Sequence, residues 1–243
     1  MQLTIIIPTY NRSNVLRHVI LSLVNQGIER YEVIICDDGS SDDTKQVIKQ
    51  LCKDHDLPFL LKYLWQEHKS FRAGQARNMG IDIATGERLM FLDQDVILMP
   101  RTLEKFCKIT GGTYCWTGTK NLVPLDFYKN NITDDVVLQN FDVFFEQKFG
   151  SIPATLSSFG IIIKKDFEKV KCFDQDFIGY GLEDTELVNR LQDIGIKSCV
   201  NPNCFGFHIA HDYEKQICGN EQIYHYKRTN TKRDGKTVRI EED

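Results

Sequence analysis

What the chain lacks narrows its class before any motif is considered. None of its eight cysteines forms a CxxC pair; they stand singly at positions 36, 52, 107, 115, 172, 199, 204 and 218, so a structural zinc site is not expected. No apolar run approaches the roughly 20 residues that a bilayer span needs. Met1 gives way almost at once to Leu3-Thr4-Ile5-Ile6-Ile7, without a basic leader or small-residue cleavage site, so no targeting segment is expected. There is no basic surplus either: the formal net charge of −4 argues against a dedicated nucleic-acid binder. The local cluster Lys227, Arg228, Lys232, Arg233, Lys236 and Arg239 is followed by Glu241, Glu242 and Asp243, and reads as a solvated tail. Repeats, low-complexity tracts and linkers are all missing.

What remains is ordinary globular composition, 42% hydrophobic and 26% charged. The 243 residues read as a single domain in two functional halves, 1–100 and 101–243. Cysteines such as Cys36, at the end of the apolar run Tyr31-Glu32-Val33-Ile34-Ile35, suit the role of small hydrophobes. That usage predicts a reducing compartment, hence a cytoplasmic protein or one at the inner face of the cell membrane, with at most peripheral membrane association.

The first hundred residues alternate β-branched runs with amphipathic stretches. Strands are predicted at Leu3–Ile7, Tyr31–Cys36, Phe59–Leu64 and Arg88–Leu92, and helices at Asn14–Gln26, Thr44–His55 and Gly74–Ala84. This alternation predicts an α/β fold with a mostly parallel central sheet flanked by helices. Ligands in such sheets bind outside the carboxyl ends of the strands. Further on, Thr133–Lys148 and Glu183–Asp193 read as helical and Leu156–Lys164 as strand-like.

Three loops fall at predicted strand ends. Leu89-Met90-Phe91-Leu92 runs into Asp93-Gln94-Asp95, and carboxylates two residues apart on an extended chain face the same way. Hard oxygen ligands there suit Mg²⁺ or Mn²⁺ shared with a diphosphate, although Asp is also common in plain turns. Pro8-Thr9-Tyr10-Asn11-Arg12 and Asp37-Asp38-Gly39-Ser40-Ser41-Asp42 follow the first two strands. Their carboxylates would repel phosphate but accept hydrogen bonds from a base or ribose; the second run is equally good turn and cap chemistry. In Phe71-Arg72-Ala73-Gly74-Gln75-Ala76-Arg77-Asn78-Met79-Gly80, Arg72 and Arg77 could offset nucleotide charge, with a solvated helix face as the alternative for Arg72.

Together, Ile5-Ile6-Ile7-Pro8-Thr9-Tyr10-Asn11-Arg12, Asp37 to Thr44, Ala76-Arg77-Asn78-Met79-Gly80 and Phe91-Leu92-Asp93-Gln94-Asp95 resemble the family 2 glycosyltransferases of the GT-A (Rossmann-like) fold. The resemblance implies a UDP-sugar donor, with Pro8, Thr9, Tyr10, Arg12, Asp38, Arg72, Arg77, Asp93 and Gln94 on the donor side. Within that set it implies Thr9 and Tyr10 beside the uracil, Asp38 on its N–H, Arg77 near the nucleotide and Asp93 at the ribose. Asp95 would bind the metal.

A second run, from Phe173 through Gly179-Tyr180-Gly181-Leu182-Glu183-Asp184 to Leu187, resembles the acceptor segment of animal β-1,4-galactosyltransferases and bacterial chondroitin-polymerase-type enzymes. Leu182 replaces a frequent glycine and Tyr180 a tryptophan. The resemblance implies that Asp184 is the base of an inverting transfer, that Glu183 holds acceptor hydroxyls, and that Tyr180 and Gly181 contact the acceptor sugar. Taken alone, Glu183 and Asp184 are equally an acidic first helical turn. In Phe205-Gly206-Phe207-His208-Ile209-Ala210-His211-Asp212, the same resemblance implies a histidine metal ligand, His211 ahead of His208. Imidazole beside carboxylate suits Mn²⁺, with Mg²⁺ as the alternative ion.

The expected activity is therefore inverting, metal-dependent transfer of galactose or N-acetylgalactosamine from a UDP-sugar to a glycan or lipid-linked glycan. A nucleotidyltransferase would show a glycine-rich basic loop after the first strand, and a UDP-sugar-binding protein without turnover would not need both carboxylate motifs.

Overall fold

The computed structural model describes residues 2–116, 119–139, 150–152, 156–201, 204, 206–211 and 219–230. Its strands are β1 (Leu3–Thr9), β2 (Tyr31–Asp37), β3 (Leu60–Trp65), β4 (Arg88–Leu92), β5 (Val96–Leu98), β6 (Thr113–Trp116), β7 (Thr119–Val123), β8 (Gly150–Ile152), β9 (Gly160–Ile163), β10 (Lys197–Val200) and β11 (Gly206–Ile209). Helices α1 (Ser13–Ser22), α2 (Thr44–Asp54) and α3 (Ala73–Ile83) link the first four.

The larger sheet runs β10-β6-β9-β4-β1-β2-β3. β3, β2, β1 and β4 are mutually parallel, β9 is antiparallel to both β4 and β6, and β6 is parallel to β10. The expected α/β, mostly parallel architecture holds. All seven residues of β1 and of β2 are buried, which accounts for their near-continuous apolar sequences: interior parallel strands have no wet face. α3 lies hard against this sheet, since a Cβ on Gly80 would sit 2.7 Å from Cys36 Sγ. Parallel β1, β2 and β4 send their following loops out at one edge, where the chemistry-bearing motifs stand. A second sheet, β5-β11-β7-β8, covers that edge from the side.

Three readings need correction. The Leu156–Lys164 segment is not one strand: Leu156–Phe159 is a helical turn, and β9 starts only at Gly160. The apolar run of β9 extended the strand reading backwards, but a Cβ on Gly160 would lie 2.5 Å from Leu156 O, a doubling-back that glycine permits. Of the helix predicted over 133–148, Asp134–Gln139 is helical, Thr133 lies just before it, and 140–148 lie outside the described residues. Lys227 and Arg228 are not in a solvated tail; they belong to the helix Asn220–Asn230 and pair with Asp174, Asp176 and Asp193. Positions 232–243 lie outside the described residues. No helix among the described residues is long and apolar enough to cross a membrane.

One buried charge anchors the sheet base. Glu32 Oε1 accepts from Thr4 Oγ1 (2.7 Å), Thr85 N (2.6 Å) and Thr85 Oγ1 (2.8 Å), while Oε2 lies 2.7 Å from Lys62 Nζ. Burial alone would raise its pKa, but Lys62 and the two threonines prevail and hold it at about 2, against an ordinary 4.5. A depressed folded-state pKa stabilises the fold above the unfolded value, a contribution lost as pH falls through the folded one; here it is about 3 kcal/mol. Glu32→Gln is therefore expected to flatten the acid limb of stability between about pH 5 and pH 2. Denaturant titrations of both proteins across that window check it; parallel pH curves would refute the assignment.

Candidate active site

The floor of the site is the end of β4. The chain turns there, with Asp93 N donating to Ser158 O (2.9 Å) and Val96 N to Asp93 O (3.2 Å). Gln94 faces back, its Oε1 accepting from Thr9 Oγ1 (2.7 Å) and Tyr10 N (3.0 Å), and so ties the β1 loop to the β4 loop. Asp93 and Asp95 line the same cleft but take different partners.

Asp95 faces two imidazoles. Its Oδ2 lies 3.2 Å from His211 Nε2 and its Oδ1 3.4 Å from His208 Nε2. The three donor atoms lie within 4.8 Å of one another, and this is the metal-competent cluster among the described residues. The fold builds it by pairing β11 antiparallel to β5, His208 opposite Val96, with Ile209 N donating to Asp95 O (2.9 Å). Gly206 allows the close approach: a Cβ there would meet Val96 Cγ1 at 2.7 Å. Burial pushes the His208 imidazole below its ordinary pKa, opposed by Asp95, with His211 and Arg12 adding to the depression. Asp95 Oδ1 and His208 Nδ1 are buried without a hydrogen-bond partner among the described residues. One carboxylate and two imidazoles, with the buried Asp95 Oδ1 lacking a hydrogen-bond partner among the described residues, fit a divalent cation of the Mn²⁺ type.

Beside this cluster lies Arg77, from α3, only 4% exposed. Its Nη2 is 2.9 Å from Asp93 Oδ1, its Nη1 is 3.9 Å from Glu183 Oε1, and the guanidinium carbon sits 5.4 Å from the Phe173 ring centre. Desolvation in the cleft pushes Asp93 above the ordinary carboxylate range; Arg77 opposes this, while Asp95 and Glu183 add to it. Burial likewise raises Glu183, against Arg77 and with Asp184. Asp184 differs: it has no cation within ion-pair distance among the described residues, and its Oδ2 meets only Ser157 Oγ at 3.4 Å. Its other oxygen accepts from Thr185 N (2.7 Å) at the start of the Glu183–Asp193 helix.

The loop before that helix has three left-handed residues: Gly179 (φ 91°), Gly181 (φ 95°) and Leu182 (φ 71°). Leu182 thus holds a conformation that favours glycine and costs an L-residue about 1–2 kcal/mol. The loop presents Tyr180, 53% exposed, with its ring centre 6.0 Å from that of Phe71.

Beyond the end of β2, Asp38 accepts from Arg72 N (3.0 Å) and Gln66 Nε2 (2.5 Å), leaving lone pairs to spare. Tyr10 stacks on His68 at 4.2 Å between ring centres, tilted by 13°. Every residue selected from the sequence except Arg12 and Arg72 lines one cleft of about 330 Å³. Arg72 instead braces the loop, bonding Glu67 O and Gln75 Oε1, and Arg12 acts on the cleft only through its charge, which lowers the His208 pKa. The cleft also takes in Phe71, Ala73, Val96, Ser157 and Ser158, which the sequence reading missed as site residues. Phe71 and Ala73 flank the arginine loop and could have been included. The serines were hidden by the misread strand.

Comparison with known proteins follows this geometry. Residues 4–110 match the model of Glycosyl transferase family 2, and residues 151–215 that of the N-terminal domain of galactosyltransferase. The chain is 31% identical to the GalNAc(5)-diNAcBac-PP-undecaprenol beta-1,3-glucosyltransferase of Campylobacter jejuni, covering 79% of this chain and 60% of that protein. It is 28% identical to the validoxylamine A glucosyltransferase of Streptomyces hygroscopicus, over 86% of this chain and 56% of the relative. The chain thus spans little more than half the length of these curated relatives. Among solved structures, S. aureus TarS in complex with UDP-GlcNAc superposes with a TM-score of 0.69 at 19% identity, covering 94% of this chain and 65% of TarS. The mannosyltransferase PcManGT from Pyrobaculum calidifontis, in complex with GDP-Man and Mn²⁺, gives 0.62 at 18%, over 94% and 61%. Both likenesses concern the fold. The chain therefore carries a glycosyl transferase family 2 domain of GT-A-like fold, followed by a galactosyltransferase-type segment.

Proposed function

We propose that this protein is an inverting, metal-dependent glycosyltransferase that moves a hexose from a UDP-sugar to a glycan hydroxyl. The observation that carries the reading is a single cleft holding both the Asp95–His208–His211 cluster and the Glu183–Asp184 pair. Pro8, Thr9, Tyr10 and Asp38 supply the wall for the nucleoside, and Arg77 sets the charge between donor and acceptor sides. Asp184 takes the acceptor proton as the hydroxyl oxygen bonds to C1 of the sugar. The C1–O bond to UDP breaks on the opposite face, so the anomeric configuration inverts. Asp95, His211 and His208 would hold Mn²⁺ or Mg²⁺, which when bound offsets the charge gathering on the leaving diphosphate. Glu183, buried beside Arg77, anchors acceptor hydroxyls, and Tyr180 with Gly181 forms the acceptor lip.

Galactose or N-acetylgalactosamine is the donor sugar that the acceptor segment favours; glucose is the alternative favoured by the names of the two curated relatives. The acceptor is a free or lipid-linked glycan. The test is UDP release from UDP-glucose, UDP-galactose, UDP-N-acetylglucosamine and UDP-N-acetylgalactosamine, with Mn²⁺ or chelator, and with p-nitrophenyl β-glycosides as acceptors. Metal-dependent release from one donor is expected. Binding without any turnover would favour a carrier of nucleotide-sugars, and pyrophosphate release from UTP and a sugar phosphate would favour a nucleotidyltransferase.

A further inference from the structure

The helix Asn220–Asn230 lies beyond both matched family segments, which end at residue 215, and no motif in the sequence draws attention to it. In the fold it is fastened to both flanks of the acceptor segment. Lys227 pairs with Asp174 and Asp176 ahead of the Gly179–Leu182 loop. Tyr224 OH accepts from Asn189 Nδ2 (2.8 Å), and Arg228 pairs with Asp193 (2.7 Å), both in the helix behind it. Its first residue, Asn220, is 2% exposed and reaches the loop itself: Nδ2 lies 2.8 Å from Gly181 O and 3.4 Å from Gly179 O. These are the carbonyls on either side of Tyr180. From the opposite side, Gly179 N donates to Phe71 O at 2.8 Å.

We infer that Asn220 is a positioning residue that sets the acceptor loop, and through it the aim of Tyr180, by donating both amide hydrogens to the two flanking carbonyls. The inference rests on the glycosyltransferase reading for its consequence, but on geometry alone for the contact. A loop with three left-handed residues among its four, Gly179, Gly181 and Leu182, has no repeating backbone ladder to hold it, so its carbonyls need an outside donor. Only the amide NH₂ meets that need, because both neighbours are acceptors; Asn220 Oδ1 correspondingly has no hydrogen-bond partner among the described residues. An aspartate of the same shape would set a carboxylate against two carbonyls.

The test compares wild type with Asn220→Ala and Asn220→Asp. Amide hydrogen exchange of residues 179–182 should accelerate in both variants, while the β1–β4 amides keep their protection. In turnover assays with the p-nitrophenyl β-glycosides, KM for the accepted glycoside should rise roughly tenfold, the scale of one lost hydrogen bond to a buried partner. UDP affinity should not change. Unaltered exchange in the loop would overturn the inference, and so would donor affinity and thermal stability falling in step with transfer, which marks a merely structural residue. If wild type transfers to no glycoside, the glycosyltransferase reading fails, while the exchange measurement still decides the contact.

Discussion

Asp184→Asn is expected to lower the rate of sugar transfer by about 10²–10⁴-fold, the range spanned by loss of a general base. The substitution keeps the shape of the side chain, and its amide still accepts from Thr185 N. UDP binding should persist, because Asp184 stands with the acceptor loop and not with the Thr9, Tyr10 and Asp38 wall. Among the carboxylates of the cleft it is the one free of a cationic partner within ion-pair distance among the described residues, whereas Asp93 and Glu183 share Arg77 and Asp95 faces imidazoles. A base must be able to gain a proton without surrendering an ion pair, and Asp184 meets that condition. Single-turnover transfer together with calorimetric titration of UDP separates the two effects. Parallel loss of both would remove Asp184 from the role of base.

Asp95→Ala is expected to weaken Mn²⁺ binding by more than about 100-fold, since even outer-shell partners of a metal ligand are worth 10- to 100-fold. His208→Ala and His211→Ala should each do the same. Calorimetry with Mn²⁺ alone, without nucleotide, tests the cluster directly, and unchanged affinity in Asp95→Ala would end its assignment as a ligand. His208 is the more enclosed imidazole, its side chain 9% exposed against 17% for His211, so its truncation also removes packing and should lower thermal stability more.

The cleft residues at strand ends were legible because they follow directly from buried strands. A buried strand running into Asp93-Gln94-Asp95, or into Pro8-Thr9-Tyr10, puts its loop at the carboxyl edge of a parallel sheet whatever the rest of the chain does. The paired acidic residues at Glu183 and Asp184 were visible for a similar reason, as an acidic helix start after a glycine-rich turn. What was not legible depends on contacts distant in sequence. Gln94 lines the cleft as read, but that its carbonyl oxygen ties the β1 loop to the β4 loop through Thr9 and Tyr10 was not visible. Arg72 reads as a nucleotide contact or a solvated cation, yet it braces the Asp38 loop. The serines at 157 and 158 were lost to a strand reading that begins four residues too early, and Asn220 has no local pattern at all. In each case the deciding partner lies on another element.

The pairing of β11 with β5 has a consequence for any cation that binds at the Asp95, His208 and His211 cluster. Asp95 and His208 are separated by 113 positions (208 − 95), and no local turn brings them together. An unfolded chain offers these ligands only singly, at the entropy cost of closing a very long loop. The donor set exists only after the two strands have found their register, so any cation held there binds the native state and not the unfolded one. By mass action, such a cation would stabilise the paired β5 and β11 strands in proportion to its occupancy.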